Sequence, residues 1–241
     1  MANQKSRAHR SGDTGAKDLN RPRPPEQVIP EPLARAVAEL DYWFVIGGHA
    51  VRCFCPYRPT RDVDFGVKLP TDLEELLAEL SRRGRVEIVE RGEQTVHLRY
   101  DGTNVSIFVL AELASFTEQR RLSVTGIIAT KLHAILDRGA RRDFFDLYVT
   151  MHLDQLGMVA CIGAMREVYG PELNEPLLLR ALTHFDEAER EAMLPGEGAD
   201  DWSTVKDFFL TRVGQLLVPP TKTLAIQGRE VDVRGKRPRA I

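Results

Sequence analysis

The sequence has no long apolar segment. No apolar run approaches the roughly 20 residues that are needed to span a bilayer. The first residues are charged, and no apolar stretch follows them. We therefore expect a protein of the cytoplasm that has no membrane partner.

Cysteine is scarce as well. The three cysteines, Cys53, Cys55 and Cys161, are an odd number, which argues against a disulfide framework. Cys53 and Cys55 have no second Cys or His pair at zinc-finger spacing, and the histidines beyond the N-terminal segment form no spaced set of metal ligands. We interpret the two neighbouring cysteines as small buried residues of a short helix.

What is present is the composition of a globular protein. The 241 residues are 43% hydrophobic and 28% charged, which suffices for one or two packed domains. The net charge of −2 is uneven, because residues 1–25 and 222–241 each carry six basic and two acidic side chains, a net +4, and leave −10 between them. Both ends are short of large apolar residues, so we predict disordered basic tails at 1–25 and 221–241 that serve as RNA-binding arms or as solubilising segments.

The apolar pattern predicts strands first and helices afterwards. An apolar run at 43–46 ends at two glycines, and a charged helix is predicted at 71–83. Further strand-like runs lie at 85–89, 95–100 and 105–110, with a hairpin signal, Asp101–Gly102, between the last two.

After residue 124 the pattern is helical almost to residue 218. We therefore predict an α+β protein, with a mixed sheet and flanking helices in a domain at 26–124 and an all-helical domain at 125–220.

Two aspartates share one face of a predicted strand. Within residues 61–67 the strand period of two sends the apolar side chains to one face and Asp62 and Asp64 to the other. Neighbouring carboxylates repel unless a positive charge lies between them, and oxygen ligands of this kind suit Mg²⁺ or Mn²⁺. We predict a metal site at Asp62 and Asp64, the alternative being a solvated strand face.

Glycines and donors surround this pair in the sequence. Gly47 and Gly48 lie where a strand passes into a helix, so that backbone N–H groups and a helix N-terminus are available to phosphate oxygens. Arg58 and Thr60 add side-chain donors that suit a polyanion. Either glycine has the alternative role of forming only a tight turn, and for His49, which follows them, helix capping or packing is favoured over phosphate contact.

These residues together resemble a known superfamily. The string Gly47-Gly48-His49-Ala50-Val51 followed by Arg58-x-Thr60-x-Asp62-x-Asp64 is similar to the signature of the polymerase-beta-like nucleotidyltransferases. Two later motifs, Lys131-Leu132-x-Ala134 and Arg142-Asp143-x-x-Asp146-Leu147, resemble those of the AbiEii/MenT-type nucleotidyltransferase toxins. With a C-terminal stretch at 181–189 and 202–209, the resemblance extends over roughly residues 32–216.

The resemblance implies a nucleotidyltransferase fold, a magnesium-bound NTP as donor, the 3′ end of tRNA as acceptor, and a toxin with a cognate antitoxin. We accordingly expect Asp62, Asp64, Lys131 and Asp143 to be catalytic. We expect the nucleotide to be bound by Gly47, Gly48, Arg58, Thr60, Lys131 and Arg138.

Lys131 has a physical reason to be singled out. It borders the apolar stripe of its predicted helix, and a half-buried lysine requires an anion. That anion is either a phosphate or a carboxylate, because Asp143 and Asp146 share one face of the next helix. We favour function for Lys131 and Asp143, and leave Asp146 open between function and a structural ion pair.

One position departs from the superfamily. A third carboxylate is common on a later strand, and Ser106 stands at the corresponding place. A serine is a poor general base, so deprotonation of the acceptor falls to Asp143, to another carboxylate or to no side chain. Two alternatives to tRNA transfer remain: an enzyme with a small-molecule or protein acceptor, and a catalytically silent module that binds nucleotide or RNA.

Overall fold

The computed structural model describes residues 22–217. The predicted basic tails at 1–25 and 221–241 lie outside that range, apart from residues 22–25. Their disorder and their contact with RNA therefore stay predictions.

The described part of the chain contains seven strands and nine α-helices, together with two short 3₁₀ helices. The strands are β1 (Trp43–Val45), β2 (Val63–Val67), β3 (Val86–Arg91), β4 (Thr95–Tyr100), β5 (Thr103–Val109), β6 (Thr117–Glu118) and β7 (Arg121–Leu122). The helices are α1 (Glu31–Val37), α2 (Gly47–Phe54), α3 (Pro70–Arg83), α4 (Val124–Asp137), α5 (Arg141–Leu153), α6 (Met158–Tyr169), α7 (Glu175–Ala181), α8 (Asp186–Arg190) and α9 (Asp201–Leu217).

The strands form one mixed sheet in the order β3-β4-β5-β2-β1-β7-β6. Strand β2 lies in the middle, antiparallel to β1 and parallel to β5. The apolar side chains of β2, Val63, Phe65 and Val67, are fully buried, because they project from the face of the sheet into the hydrophobic core. The predicted α+β class, a mixed sheet with flanking helices followed by helices alone, is confirmed.

The predicted hairpin at Asp101–Gly102 joins β4 to β5. Both residues have positive φ, 47° and 86°, as a two-residue turn between twisted strands requires. Tyr100 pairs with Thr103, and the antiparallel register continues from there along both strands. The turn therefore decides which side chains of β4 and β5 face each other.

The helices after residue 124 pack on the sheet and on one another. Helix α4 is capped by Ser123, whose Oγ accepts a hydrogen bond from the Gly126 N–H at 3.3 Å. Phe144 of α5 lies in an aromatic cluster with Phe185, Trp202 and Phe209. One continuous apolar core includes residues from both sides of position 124, so the division into two domains there stays a prediction.

Strands β6 and β7 are absent from the sequence prediction. Each has only two residues, and a period of two leaves no recognisable pattern over that length. Strand β3 also differs, because it runs to Arg91 and its pairing with β4 is interrupted by a bulge between Ile88 and Glu90. No helix among residues 22–217 is long and apolar enough to cross a membrane.

Candidate functional site

Asp62 and Asp64 lie at the start of the central strand, on the side away from its apolar residues. The Asp64 backbone oxygen accepts a hydrogen bond from the Ile46 N–H at 3.0 Å, so the end of β1 and the start of α2 are held beside this carboxylate. Burial raises the pKa of Asp64, against the lowering influence of Lys131. Asp62 is exposed, and its Oδ1 accepts a hydrogen bond from Asn104 Nδ2 at 3.1 Å.

The two glycines at the start of α2 are required by close approach. A Cβ on Gly47 would lie 2.6 Å from Asp64 Oδ2, and the positive φ of 61° is itself unfavourable for other residues. A Cβ on Gly48 would lie 2.9 Å from Thr60 Oγ1 and 3.0 Å from Arg58 Nη2. The N-terminus of α2 is therefore seated between a carboxylate and the loop that carries two of the predicted donors.

His49 is buried on α2, which favours packing over contact with phosphate. It is 1% exposed on α2, and its Nδ1 has no hydrogen-bond partner among the described residues. Burial is the main reason that the pKa of His49 is lowered to about 4, and the nearby cation of Arg52 lowers it further. The imidazole is therefore neutral in the folded protein at neutral pH.

This burial predicts a loss of stability on acidification. The unfolded chain protonates His49 near pH 6.5 and the folded chain only near pH 4. The neutral imidazole therefore gives its full stabilisation above pH 6.5. As the pH falls to 4, the free energy of unfolding decreases by about 3 kcal/mol, since each pH unit costs roughly 1.4 kcal/mol. We expect denaturant titrations of metal-free protein between pH 7 and 4 to show this loss, and His49→Gln to lack it. An equal slope in both proteins would contradict the assignment.

Arg58 is held by Asp146 of α5. The guanidinium donates from Nε to Asp146 Oδ1 at 3.0 Å and from Nη2 to Oδ2 at 2.8 Å. Its Nη1 donates to the Pro59 carbonyl and to Thr60 Oγ1, and the Tyr57 hydroxyl also donates to Asp146. These N–H groups position the loop, and the predicted contact of Arg58 with phosphate stays a prediction, since Arg58 also lines the cavity described below.

Lys131 has carboxylate partners. Its Nζ lies 3.1 Å from Asp143 Oδ1 and 2.7 Å from Asp146 Oδ2, and the side chain is 5% exposed. Although burial disfavours the charged lysine, the two carboxylates raise its pKa overall. The ion pair that the sequence offered as the alternative for Lys131 is therefore present.

Asp143 is fully buried and is also bound by Arg138, whose Nε lies 2.9 Å from its Oδ2. Both of its oxygens are thus occupied by cations. The structure places Asp143 behind the lysine, where it contacts no open space. This position is evidence against the predicted role of Asp143 as a base for the acceptor.

A cavity of about 860 Å³ brings the other predicted residues together. Its wall contains Gly47, Gly48, Arg58, Thr60, Asp62, Asp64, Lys131 and Arg138, while Asp143 is absent from it. The lining includes two carboxylates and six cationic side chains, the latter being Arg58, Arg61, Arg99, Lys131, Arg138 and Arg142. Although the middle of the sequence is acidic, this cavity is suited to an anion.

Sequence reasoning missed one polar pair in the cavity. His97 of β4 lies directly opposite Ser106 of β5, and its Nδ1 is 2.9 Å from Ser106 Oγ. The hairpin signal at Asp101–Gly102 predicts this pairing, because a two-residue turn sets the register that places residue 97 opposite residue 106.

The residues present fit a magnesium ion. Asp62 and Asp64 provide hard oxygen ligands on the cavity wall, and Mg²⁺ is commonly held by one or two carboxylates together with substrate phosphates and water. Within residues 22–217 no cluster of three or more His, Cys, Asp or Glu side chains could hold a metal. The two carboxylates on the cavity wall suit an ion that also takes water and substrate phosphates as ligands.

The chain matches a protein family, a curated relative and solved structures. Residues 33–215 match the profile of the family described as nucleotidyl transferase AbiEii toxin, type IV TA system. A curated relative, an uncharacterized protein of Aquifex aeolicus (strain VF5), is 23% identical over 184 residues, which are 73% of this chain and 88% of the relative.

The chain is also similar to a crystal structure of an H. pylori protein described as a nucleotidyltransferase, with a TM-score of 0.44 and 16% identity over 80% of this chain and 96% of that one. It is similar as well to the solution structure of the antibiotic-resistance factor ANT(2'')-Ia, with a TM-score of 0.32 and 14% identity, over 78% and 92% of the two chains.

Proposed function

We propose, because this chain belongs to the family of nucleotidyl transferase AbiEii toxins of type IV toxin–antitoxin systems, that it transfers a nucleoside monophosphate from an NTP to the 3′ end of tRNA. The chain is a nucleotidyltransferase by family, while the choice of acceptor and the need for a metal are our proposal. A cognate antitoxin is the expected protein partner.

One observation carries the proposal. A carboxylate pair on the central strand, the glycine start of a helix and a cationic wall from α4 and α5 line the same cavity. Nucleotidyl transfer requires mainly positioning and charge neutralisation, since little covalent chemistry is left for the protein. An arrangement of carboxylates for a cation and of donors for phosphates meets both requirements.

The residues act as follows in the proposed reaction. Asp62 and Asp64 would hold Mg²⁺ or Mn²⁺, which when bound would offset negative charge on the reacting phosphates. Backbone N–H groups at Gly47 and Gly48 donate to phosphate oxygens at the positive end of α2. Lys131 and Arg138 offset the negative charge of the triphosphate. The acceptor oxygen bonds to the α-phosphorus as the bond to pyrophosphate breaks.

Labelling decides between this proposal and its alternatives. Incubation of the protein with total RNA, Mg²⁺ and each α-labelled NTP in turn is expected to label tRNA. RNA whose 3′ terminal ribose has been oxidised with periodate serves as the control, because it lacks the hydroxyl acceptor and should stay unlabelled. Label in a small molecule or protein would show that the acceptor is that molecule and not tRNA. No label with any NTP would favour a silent binding module.

A further inference from the structure

The direction of attack follows from the order of the strands. Strand β2 lies between β1, which leads into α2, and β5. If pyrophosphate leaves toward the α2 N-terminus, as in the proposed function on which this inference rests, the attacking oxygen approaches from the opposite side, because the two oxygens are roughly in line. That side is the face of β5 and β4.

Two polar side chains occupy this face. Asp64 is in register with Ser106 on the neighbouring parallel strand, and Ser106 is in register with His97 on the next. The His97 ring is fixed by Ser106 Oγ at 2.9 Å and by an edge contact with Phe108, whose ring centroid is 5.8 Å away. The other ring nitrogen has no hydrogen-bond partner among residues 22–217. Both side chains line the cavity.

Other candidate bases are already engaged. Asp143 and Asp146 are fully buried and bound by Lys131, Arg58 and Arg138. Asp62 and Asp64 are assigned to the metal. His97 is the single histidine among the residues that line the described cavity. It is separated from Asp64 by the intervening strand β5.

We propose that His97 is the general base of the transfer and that Ser106 positions it. In the tautomer that this role requires, Ser106 Oγ accepts a hydrogen bond from the Nδ1–H of His97, which leaves the lone pair of Nε2 for the acceptor hydroxyl. As the acceptor oxygen bonds to the α-phosphorus and pyrophosphate departs, the hydroxyl proton moves to Nε2.

The surroundings of His97 contain charges of both signs. Glu90 lies opposite it on β3, and Arg99 is two residues along β4 on the same face. Asp62 and Asp64 lie beyond β5, and Lys131, Arg138 and Arg142 line the far side of the cavity. All of these remain in the variants below, so a change in the pH profile is attributable to the imidazole itself.

The test compares His97→Gln with wild type across pH 5 to 9, with RNA labelling as the readout. The exposed His133 on α4 gives the matched control, His133→Gln. We expect His97→Gln to lower kcat by roughly 10²-fold or more, to lose the acidic limb of the profile, and to retain NTP affinity in calorimetry with Mg²⁺. Ser106→Ala should cost about tenfold and add nothing in the double variant, because the two side chains act as one unit.

The outcomes separate this inference from the proposed function. An active wild type with a His97→Gln variant that keeps at least a third of kcat and the same pH profile overturns the role of His97 alone. Additive losses in the double variant overturn the pairing with Ser106. A wild type that labels no acceptor overturns the proposed function, and the inference with it.

Discussion

Replacing Asp64 by asparagine is expected to abolish nucleotide transfer without unfolding the protein. Asp64 is half-buried beside Gly47 and its carboxylate carries a desolvation cost, which is why burial raises its pKa. Asparagine has the same shape but neither the charge nor the affinity for Mg²⁺. We expect a loss of about 10³-fold or more in transfer, because charge stabilisation at the reacting phosphate is removed. The melting temperature should be unchanged or higher.

Asp62→Asn is expected to lose activity similarly, with even less effect on stability. Its side chain is exposed, and its hydrogen bond from Asn104 is at the surface, where substitutions usually change stability by less than about 0.5 kcal/mol. Asp41→Asn is the matched control, since Asp41 is exposed next to β1 and does not line the cavity. Substantial transfer by either the Asp62 or the Asp64 variant with Mg²⁺ would show that the metal-site assignment is wrong.

Local pattern sufficed to predict most of the sheet and the region of the site. The alternation around Asp62 and Asp64 and the glycines at 47 and 48 are signals within a few residues, and the cavity contains all four. The resemblance added the helical motifs and with them Lys131. The hairpin at Asp101–Gly102 is predicted as well, but His97 has no local signal of its own and is identified only by its register opposite Ser106.

The pairing of Lys131 with a carboxylate is accessible from the sequence, but the rest of the ion-pair network is beyond the reach of such patterns. Arg58 and Asp146 are 88 residues apart, and nothing local to either one indicates that Asp146 holds the loop before β2. The same limit applies to Asp143, whose predicted catalytic role comes from the resemblance. Sequence shows that an aspartate shares a helix face with another, but only the fold shows that both oxygens are covered by Lys131 and Arg138.

Lys131 combines the two roles that were separate alternatives from sequence. It is an ion-pair partner of two buried carboxylates, and it also lines the cavity, where its charge opposes the burial that raises the pKa of Asp64. A single lysine can thus both hold α4 to α5 and face the triphosphate. The structure predicts that removing its charge affects folding and catalysis together.

Lys131→Met keeps the aliphatic stem and removes the ammonium group. Breaking a buried pair costs about 3 to 5 kcal/mol when the remaining charge has no partner. Here Asp146 keeps Arg58 and Asp143 keeps Arg138, so we expect a smaller loss, about 2 to 3 kcal/mol, measured by denaturant titration. Transfer per folded molecule should fall by about 10²-fold or more, because a concentrated counter-charge is missing from the cavity.

A second substitution separates the two effects. In Lys131→Met with Asp143→Asn the fully buried carboxylate that lost one of its two cations is neutral, and Arg138 is half-exposed and can be solvated, so stability should recover in part while transfer stays low. Lys206→Met is the matched control, because Lys206 pairs with the half-exposed Glu189 on the surface and should tolerate the change. If Lys131→Met were destabilised but its folded fraction transferred nucleotide at the wild-type rate, Lys131 would be a structural residue alone, and Arg138 and Arg142 would be left to offset the charge of the triphosphate.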